Sequence, residues 1–175
     1  MAVVYLALYK GRKSGTGIKA WTARLVDWAI RQATGGIYAH CEIAVLEAVK
    51  QYPPHIVQMD GSPAPTMYTC YSASARDGGV RQKVMPLPSE KWDLIPVGAG
   101  AAVHAADLYR QTAGCRYDWR GAFGTVLPRI GHSRRRWFCS EWCAAALGFC
   151  TPGRFSPNYL AKLLGKERQT LNKQY

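Results

Sequence analysis

The sequence predicts an α+β fold in which a small antiparallel sheet or barrel packs against several helices. Short apolar or alternating runs, separated by turn residues, fill most of the first half of the chain, as β-strands do. Segments with helical periodicity and helix-capping residues dominate the second half. A length of 175 residues, 48% of them hydrophobic, suits one domain with a hydrophobic core. We therefore predict a single domain over residues 1–175.

The first half of the chain carries the predicted strands and one helix. Strands are predicted at 2–9, 38–46, 55–59, 67–73, 79–85 and 92–97. A basic, glycine-rich loop at 10–17 precedes a helix over 17–34, which Gly35 and Gly36 end. The apolar stripe of this helix has the spacing i, i+4, i+7 and i+8, at Trp21, Leu25, Trp28 and Ala29.

Three further helices are predicted in the second half, at 99–114, 139–147 and 156–165. The last of them has Ser156 as its N-cap, Pro157 in its first turn and Gly165 at its end. The polar tail at 166–175 is expected to fray.

The chain is strongly basic, with 23 Lys and Arg against 11 Asp and Glu and a net charge of +12. Such an excess favours contact with nucleic acid, an anionic membrane or an acidic polymer, although a solvated basic surface explains it equally well. No run approaches the roughly 20 apolar residues of a membrane span. The opening MAVVYLALYKGRK places apolar residues before charges, the reverse of a signal peptide. We therefore expect a cytoplasmic protein, and its small, basic character fits a phage or prophage origin.

The six cysteines favour neither disulfides nor a metal site. In a cytoplasmic protein they are expected to be reduced. The sequence has no C-x-x-C pair, and Cys139 and Cys143 have only the distant His104 and His132 as further ligands. We expect no metal ion and no cofactor.

Residues 137–148, WFCSEWCAAALG, place Cys139 where a basic segment turns into an alanine-rich helix. The unpaired N–H groups and partial positive charge of a helix N-terminus favour thiolate over thiol. The three arginines at 134–136 act in the same direction. A cysteine on such a helix is also common as a small core residue. The position suits a nucleophile whose own N–H faces a developing oxyanion.

A proton acceptor for this thiol is available in His40, unless that residue is a structural histidine. Strand alternation places His40, Glu42 and Ala44 on one face and Cys41, Ile43 and Val45 on the other. The group that orients the imidazole is left open among Glu42, Ser72, Gln58 and Asp60. Glu42 stands beside His40 on the same strand, whereas Ser72 would reach the ring edge from an adjacent strand.

Basic and aromatic residues alternate ahead of Cys139, which is also typical of grooves that bind single-stranded nucleic acid. The basic residues are Arg116, Arg120, Arg129 and those at 134–136, and the aromatic ones are Tyr117, Trp119, Phe123 and Trp137. No RNA- or DNA-binding signature accompanies them, so nucleic acid is not the expected partner.

Four segments occur in an order that resembles a known family. They are YAHCEI (38–43), CRYDW (115–119), FCSEWCAAALG (138–148) and FSPNYL (155–160). Together they resemble the permuted papain-like amidases of the YaeF/YiiX type, which are relatives of the NlpC-like cell-wall peptidases and of the lecithin:retinol acyltransferase group. In the permuted enzymes the histidine strand precedes the cysteine helix, as His40 precedes Cys139 here.

The resemblance implies a circularly permuted papain-like fold with Cys139 as nucleophile and His40 as general base. It also implies that Tyr117 lies beside the pocket as an oxyanion or substrate contact, a role for which Ser140 is a second candidate. Asp118 could instead hold its loop through a turn hydrogen bond. Relatives often have a strong polar residue where this chain has Ser72, so either Glu42 takes over or the triad is degraded.

Two functions follow as expectations. The first is a cysteine-dependent hydrolase or acyltransferase that cleaves an amide, peptide or acyl ester bond through a thioacyl intermediate, with a peptide-like or lipid-like substrate. The alternative is a weak or inactive papain-like module that binds an anionic partner such as an acidic polymer or a membrane surface. Retention of Cys139, His40 and the YDW segment favours the enzyme, and Ser72 favours the alternative.

Overall fold

The computed structural model describes residues 2–11, 16–46, 65–124 and 135–171. Its strands are β1 (Val3–Tyr9), β2 (His40–Leu46), β3 (Met67–Ser74), β4 (Gly79–Pro86), β5 (Trp92–Val97), β6 (Arg116–Tyr117) and β7 (Arg136–Trp137). Its helices are α1 (Ile18–Thr34), α2 (Gly100–Thr112), α3 (Trp119–Gly124), α4 (Cys139–Ala146) and α5 (Pro157–Leu171), with a 3₁₀ turn at Pro152–Arg154.

The seven strands form one curled sheet, a half-barrel, in the order β5-β1-β2-β3-β4-β6-β7. The first five strands pair antiparallel throughout, as does the contact of β4 with β6. The last pair, β6 and β7, is parallel, so the expectation of an antiparallel sheet is wrong at this edge. The chain passes through α3 between these two strands, and such a crossover returns the chain in the same direction. The predicted α+β class is confirmed.

Most predicted elements are present, with ends shifted by at most two residues. This holds for the strands at 2–9, 38–46, 67–73, 79–85 and 92–97 and for the helices at 17–34, 99–114 and 139–147. The strand predicted at 55–59 lies outside the described residues. Short elements around the YDW segment, namely β6, α3 and β7, were not predicted, because two-residue strands carry no periodicity.

The last helix is longer than predicted. Ser156 is its N-cap as expected, since its Oγ accepts a hydrogen bond of 3.1 Å from the Tyr159 N–H. Gly165 does not end it, because α5 continues to Leu171 through residues predicted to be a tail. A glycine inside a helix costs about 1 kcal/mol, and the good helix formers Lys166, Glu167, Arg168 and Gln169 follow it.

The two faces of β2 belong to different packing clusters, as the predicted alternation requires. Cys41, Ile43 and Val45 pack in the main core together with Trp142 and Cys143 of α4. Ala44 lies on the opposite face in a smaller cluster with Ala7, Cys70 and Leu87. The helix that begins with Cys139 therefore covers one face of the strand that begins with His40.

Trp142 fixes the position of α4. Its side chain is fully buried and stacks on Tyr71 of β3, with ring centroids 6.4 Å apart. Its indole N–H donates a hydrogen bond of 3.0 Å to the Thr112 hydroxyl at the end of α2. One side chain thus ties the helix to the sheet and to a second helix, which leaves the first turn of α4 little freedom.

Helix α1 has an unusual orientation. The helix is present as predicted, but its apolar stripe faces solvent, with Trp21, Leu25 and Trp28 exposed by 59%, 47% and 58%. Amphipathic helices ordinarily pack such a stripe against the core. The opposite side of α1 carries Asp27, which is only 7% exposed, and Ile30, which lines a cleft described below.

Candidate active site

Cys139 is the first residue of α4, and its side chain is 5% exposed. The residue before it, Phe138, is extended with φ −112° and ψ 164° and supplies no side-chain cap. The N–H groups of a helix's first turn have no partner within the helix. Those of Cys139 and Ser140 are therefore oriented toward the side from which the chain enters the helix.

His40 opens β2 and lies against Cys139. Its imidazole shares a hydrogen bond with the Cys139 thiol. Its Nε2 lies 3.0 Å from Oε1 of Glu42, so Nδ1 is the ring nitrogen that remains for the sulfur. The imidazole is 22% exposed and the Glu42 side chain only 1%. The structure therefore brings thiol, imidazole and carboxylate into one chain of contacts.

Glu42 is held by Arg81 of β4. The guanidinium donates two hydrogen bonds to the carboxylate, from Nη1 to Oε2 at 3.0 Å and from Nη2 to Oε1 at 2.6 Å. Its Nε donates a third, of 2.9 Å, to Asp77 in the β3–β4 turn. A bidentate pair of this kind fixes both the position and the plane of the carboxylate.

Ser72 does not contact the His40 ring through any described hydrogen bond. Its hydroxyl donates to the main-chain oxygen of Cys41 at 2.8 Å, and the side chain is fully buried. Strand β3 pairs with β2, which is the condition for the Ser72 alternative, and Ile43 lies opposite Tyr71, so Ser72 comes next to Glu42. Arg81 of β4 is paired with Ser72 at the other edge of β3, away from β2. The small serine leaves the space through which Arg81 reaches across β3 to Glu42.

These contacts favour charged forms of all three site residues. Burial lowers the pKa of His40, but Cys139 and the Glu42 carboxylate outweigh it and raise that pKa from 6.5 to about 10. The pKa of Cys139 lies well below its usual value of 9.0, because hydrogen bonds from Cys41 and the charge of His40 outweigh burial. Burial raises the pKa of Glu42, but His40 and Arg81 outweigh it and hold that pKa below 4.5.

Cys41 contributes to the thiolate from the core side. Both its backbone and its side chain hydrogen-bond the Cys139 sulfur, and the side-chain bond is the largest cause of the lowered Cys139 pKa. Burial and the neighbouring Cys139 and Cys143 raise the pKa of Cys41 itself well above 9.0. Cys41 therefore stays protonated and acts as a donor to its neighbour.

The YDW segment forms the wall beside the sulfur. Tyr117 is 7% exposed and hydrogen-bonds Cys139, and burial together with the Cys139 charge raises its pKa well above 10.0, so the phenol keeps its proton. Asp118 accepts a hydrogen bond of 3.0 Å from the Gly121 N–H, which is the turn role named as its alternative. Trp119 packs edge-on against Tyr117, with ring centroids 5.0 Å apart.

A small cleft opens at the start of α4, and its enclosed space of about 10 Å³ has room for about one water molecule. It is lined by Ile30, Thr34, Ala39, Tyr117, Ala122, Phe138, Cys139, Ser140 and Pro157. Predicted site residues Cys139, Ser140 and Tyr117 thus share one cavity. Most of the other lining groups are apolar, so an uncharged group meets this surface more favourably than a charged one.

Asn158 of α5 holds the segment that leads into β2. Its Nδ2 donates to Oγ1 of Thr34 at 2.6 Å and to the main-chain oxygen of Tyr38 at 2.9 Å. Its Oδ1 accepts from the Tyr38 N–H at 2.9 Å. The end of α1 and the approach to His40 are therefore fixed to the C-terminal helix.

Sequence reasoning missed Arg81, Cys41 and Asn158 as contributors to the site. Asn158 stood inside a matched segment, FSPNYL, but without a role, and nothing in a single sequence marks Arg81 as the partner of Glu42. The proposed orienters Gln58 and Asp60 lie outside the described residues, as does His132. Among the described residues, no three His, Cys, Asp or Glu side chains are grouped as metal ligands would be. All six cysteines are free of disulfides.

A comparison with protein-family models, curated proteins and solved structures found no match to this chain. Within the described part of the chain, none of the helices is long and apolar enough to cross a bilayer.

Proposed function

We propose that the protein is a cysteine-dependent hydrolase or acyltransferase with Cys139 as nucleophile and His40 as its acid–base partner. The observation that carries this proposal is the chain of contacts from Cys139 through His40 and Glu42 to Arg81, at the start of a helix that borders a cleft. Nucleophile, base and orienting group in mutual hydrogen-bond contact are the arrangement that covalent acyl transfer requires.

In the first step the Cys139 thiolate attacks the carbonyl carbon of an ester or amide. The carbonyl oxygen becomes an oxyanion, for which the N–H groups of Cys139 and Ser140 and the Tyr117 hydroxyl are the candidate donors. One such donor typically contributes about 10²–10³-fold to kcat. The bond to the leaving group then breaks, and the leaving group takes a proton from the His40 imidazolium.

The second step returns the enzyme to its starting state. His40, now neutral, accepts a proton from a water molecule or from an acceptor alcohol or amine, which attacks the thioester carbonyl. The carbon–sulfur bond breaks, and the Cys139 thiolate forms again next to the imidazolium. General acid–base assistance of this kind supplies about 10²–10⁴-fold.

The permuted papain-like fold of the YaeF/YiiX type is part of the same proposal. Its support is the order of the site along the chain, with the His40 strand before the Cys139 helix, and the packing of that helix on the sheet. The alternative, a binding module without catalysis, was favoured by the lack of a strong orienting group. Glu42 now provides that group, so no described contact favours the alternative over the enzyme.

The decisive test is thiol labelling with iodoacetamide at mildly acidic pH. A nucleophile held as thiolate reacts where ordinary thiols are protonated, so Cys139 should be modified first although its side chain is buried. Cys150 is the matched control, because it is the exposed cysteine of the six. Peptide mapping by mass spectrometry identifies the labelled residue.

Two variants complete this test. Cys139→Ala should remove the fast phase, and His40→Ala should slow it because the thiolate loses its cationic partner. Incubation with an activated acyl ester should give a burst of the leaving group and a protein mass increased by one acyl group on Cys139. Fastest labelling at Cys150, with no acylated Cys139, would contradict the proposal.

A further inference from the structure

The exposed tryptophans of this protein are confined to two helices. Of its six tryptophans, Trp21 and Trp28 of α1 and Trp119 of α3 are exposed by 59%, 58% and 46%. The other three, Trp92, Trp137 and Trp142, are half-buried or buried. Large exposed apolar groups that cluster, in contrast to single scattered ones, mark interaction surfaces.

The same two helices form walls of the cleft. Ile30 and Thr34 of α1 and Ala122 of α3 line it together with Cys139. Trp119 also packs against Tyr117, whose hydroxyl contacts the Cys139 sulfur. The exposed stripe of α1 (Trp21, Leu25 and Trp28) lies on the side of that helix opposite Ile30. We call this stripe and Trp119 the cleft rim, because both belong to helices that border the cleft.

The rim carries positive charge as well as apolar surface. Residues 18–34 of α1 include three Lys or Arg against one Asp, and that Asp27 is buried. Arg24 on α1 and Arg116 and Arg120 beside Trp119 are exposed. The whole chain has a net charge of +12. A partner that covers the rim must therefore accept indole rings and be negatively charged.

We propose that the cleft rim docks onto the surface of an anionic lipid bilayer. Indole rings favour the headgroup level of a membrane, where one part of the ring is buried and the N–H stays hydrated. An amphipathic helix with basic residues beside its apolar face lies in the plane of such an interface. The inference concerns an outer surface of two helices that border the cleft, not which bond is cleaved, so it stands or falls separately from the catalytic proposal.

Two other occupants fit the rim less well. A second copy of this chain would bring two basic rims together and would meet repulsion between like charges. A single-stranded nucleic acid would use the indoles for base stacking. Leu25, however, lies between Trp21 and Trp28 on the stripe, and its aliphatic side chain offers no stacking face but inserts readily into lipid.

Co-sedimentation with vesicles tests the docking surface. The full chain should bind vesicles of phosphatidylglycerol and phosphatidylcholine in equal parts, and bind pure phosphatidylcholine at least about tenfold more weakly, with binding that falls as salt rises. The double variant Trp21→Ser/Trp28→Ser should lose at least about tenfold in partitioning. Val103→Ser is the matched control, because Val103 is 61% exposed on α2 and does not line the cleft.

Three results would overturn the proposal. The first is equal vesicle binding by the double variant and the unmodified chain. The second is binding of a fluorescent single-stranded oligonucleotide, but not of vesicles, that the double variant loses. The third is a dimer in sedimentation velocity that the double variant dissociates. Cys139→Ala should bind vesicles normally, so loss of thiol reactivity and loss of docking are separate outcomes.

Discussion

The inner side of the candidate site, where Arg81 holds Glu42, and the cleft rim reverse the usual distribution of side chains. On the inner side, Glu42 and Arg81 are charged and yet almost removed from water, with side chains 1% and 15% exposed. On the rim, Trp21 and Trp28 are apolar and yet more than half exposed. Each region departs from the rule that charge lies outside and apolar surface inside.

The difference teaches how each departure is stabilised. The inner charges are tolerated because each has a partner of opposite sign within hydrogen-bond distance, whereas buried ions without partners are strongly destabilising. Trp21 and Trp28 of the rim belong to neither core cluster, so they contribute little to the free energy of folding. Substitutions on the inner side should therefore change stability and chemistry together, and those of Trp21 and Trp28 should change neither.

The largest effect is expected at Arg81. Arg81→Met leaves the buried Glu42 carboxylate with His40 as its remaining cation, and removing one partner of a buried ion pair costs about 3–5 kcal/mol of unfolding free energy. Urea denaturation measures this cost, and labelling of Cys139 at mildly acidic pH should slow in parallel. Lys83→Met on the same strand is the control, and because Lys83 is exposed it should stay within about 0.5 kcal/mol. Equal losses of unfolding free energy in Arg81→Met and Lys83→Met would contradict a stabilising Glu42–Arg81 ion pair.

Glu42→Gln should shift the titration of His40. Burial lowers the His40 pKa, and the Cys139 thiolate and Glu42 together raise it to about 10, so loss of the carboxylate charge should bring it down. NMR of the His40 ring, assigned by its absence in His40→Ala, measures the change.

The same variant tests how stability depends on pH. The Glu42 pKa is lowered on folding, so the stabilisation by its carboxylate is present above pH 4.5 and is lost as pH falls through the lowered value. The difference in unfolding free energy between the two proteins should therefore shrink on acidification.

Two substitutions of Ser72 separate an orienting role from a spacing role. Ser72→Ala loses the hydrogen bond to Cys41, worth about 1 kcal/mol, and should keep Cys139 reactivity close to that of the unmodified protein. Ser72→Leu fills the space above β3 through which Arg81 reaches Glu42, and should cost about 1–3 kcal/mol and slow labelling. Loss of reactivity in Ser72→Ala would restore Ser72 as the group that orients His40.

The smallest effect is expected on the rim. Trp28→Ala removes a side chain that is 58% exposed, so its unfolding free energy should change by no more than about 0.5 kcal/mol. Trp142→Ala in α4 is the comparison, because a buried tryptophan costs about 3–5 kcal/mol when truncated. A large loss of unfolding free energy in Trp28→Ala would mean that the exposed face of α1 stabilises the fold. The two regions would then not differ in the way described.

Local patterns were sufficient to predict most elements and two members of the site. The alternation of β2 placed His40 and Glu42 on one face, and the change from a basic segment to alanine-rich sequence placed Cys139 at a helix start. Both signals are contained within about ten residues. The orienting group could not be chosen from the sequence. Whether Glu42 or Ser72 reaches the His40 ring depends on how the neighbouring strands pack around each side chain.

The parts that were missed depend on contacts between distant segments. Arg81 is recognisable only when three strands are aligned, since a charged residue on a strand ordinarily faces solvent. The stripe of α1 has the periodicity of a helix, but periodicity does not tell which side of the helix the sheet covers. Gly165 looked like a helix end, although the helix formers after it outweigh its cost.

The hydrogen bonds of Asn158 have a consequence for how the protein is made. Tyr38 and Asn158 are 120 residues apart, and the bonds between them join the approach to His40 to the last described helix. A ribosome releases Asn158 only after both His40 and Cys139 have left the exit tunnel. The contact that supports the approach to His40 is thus made only after the thiol and the imidazole have been synthesised.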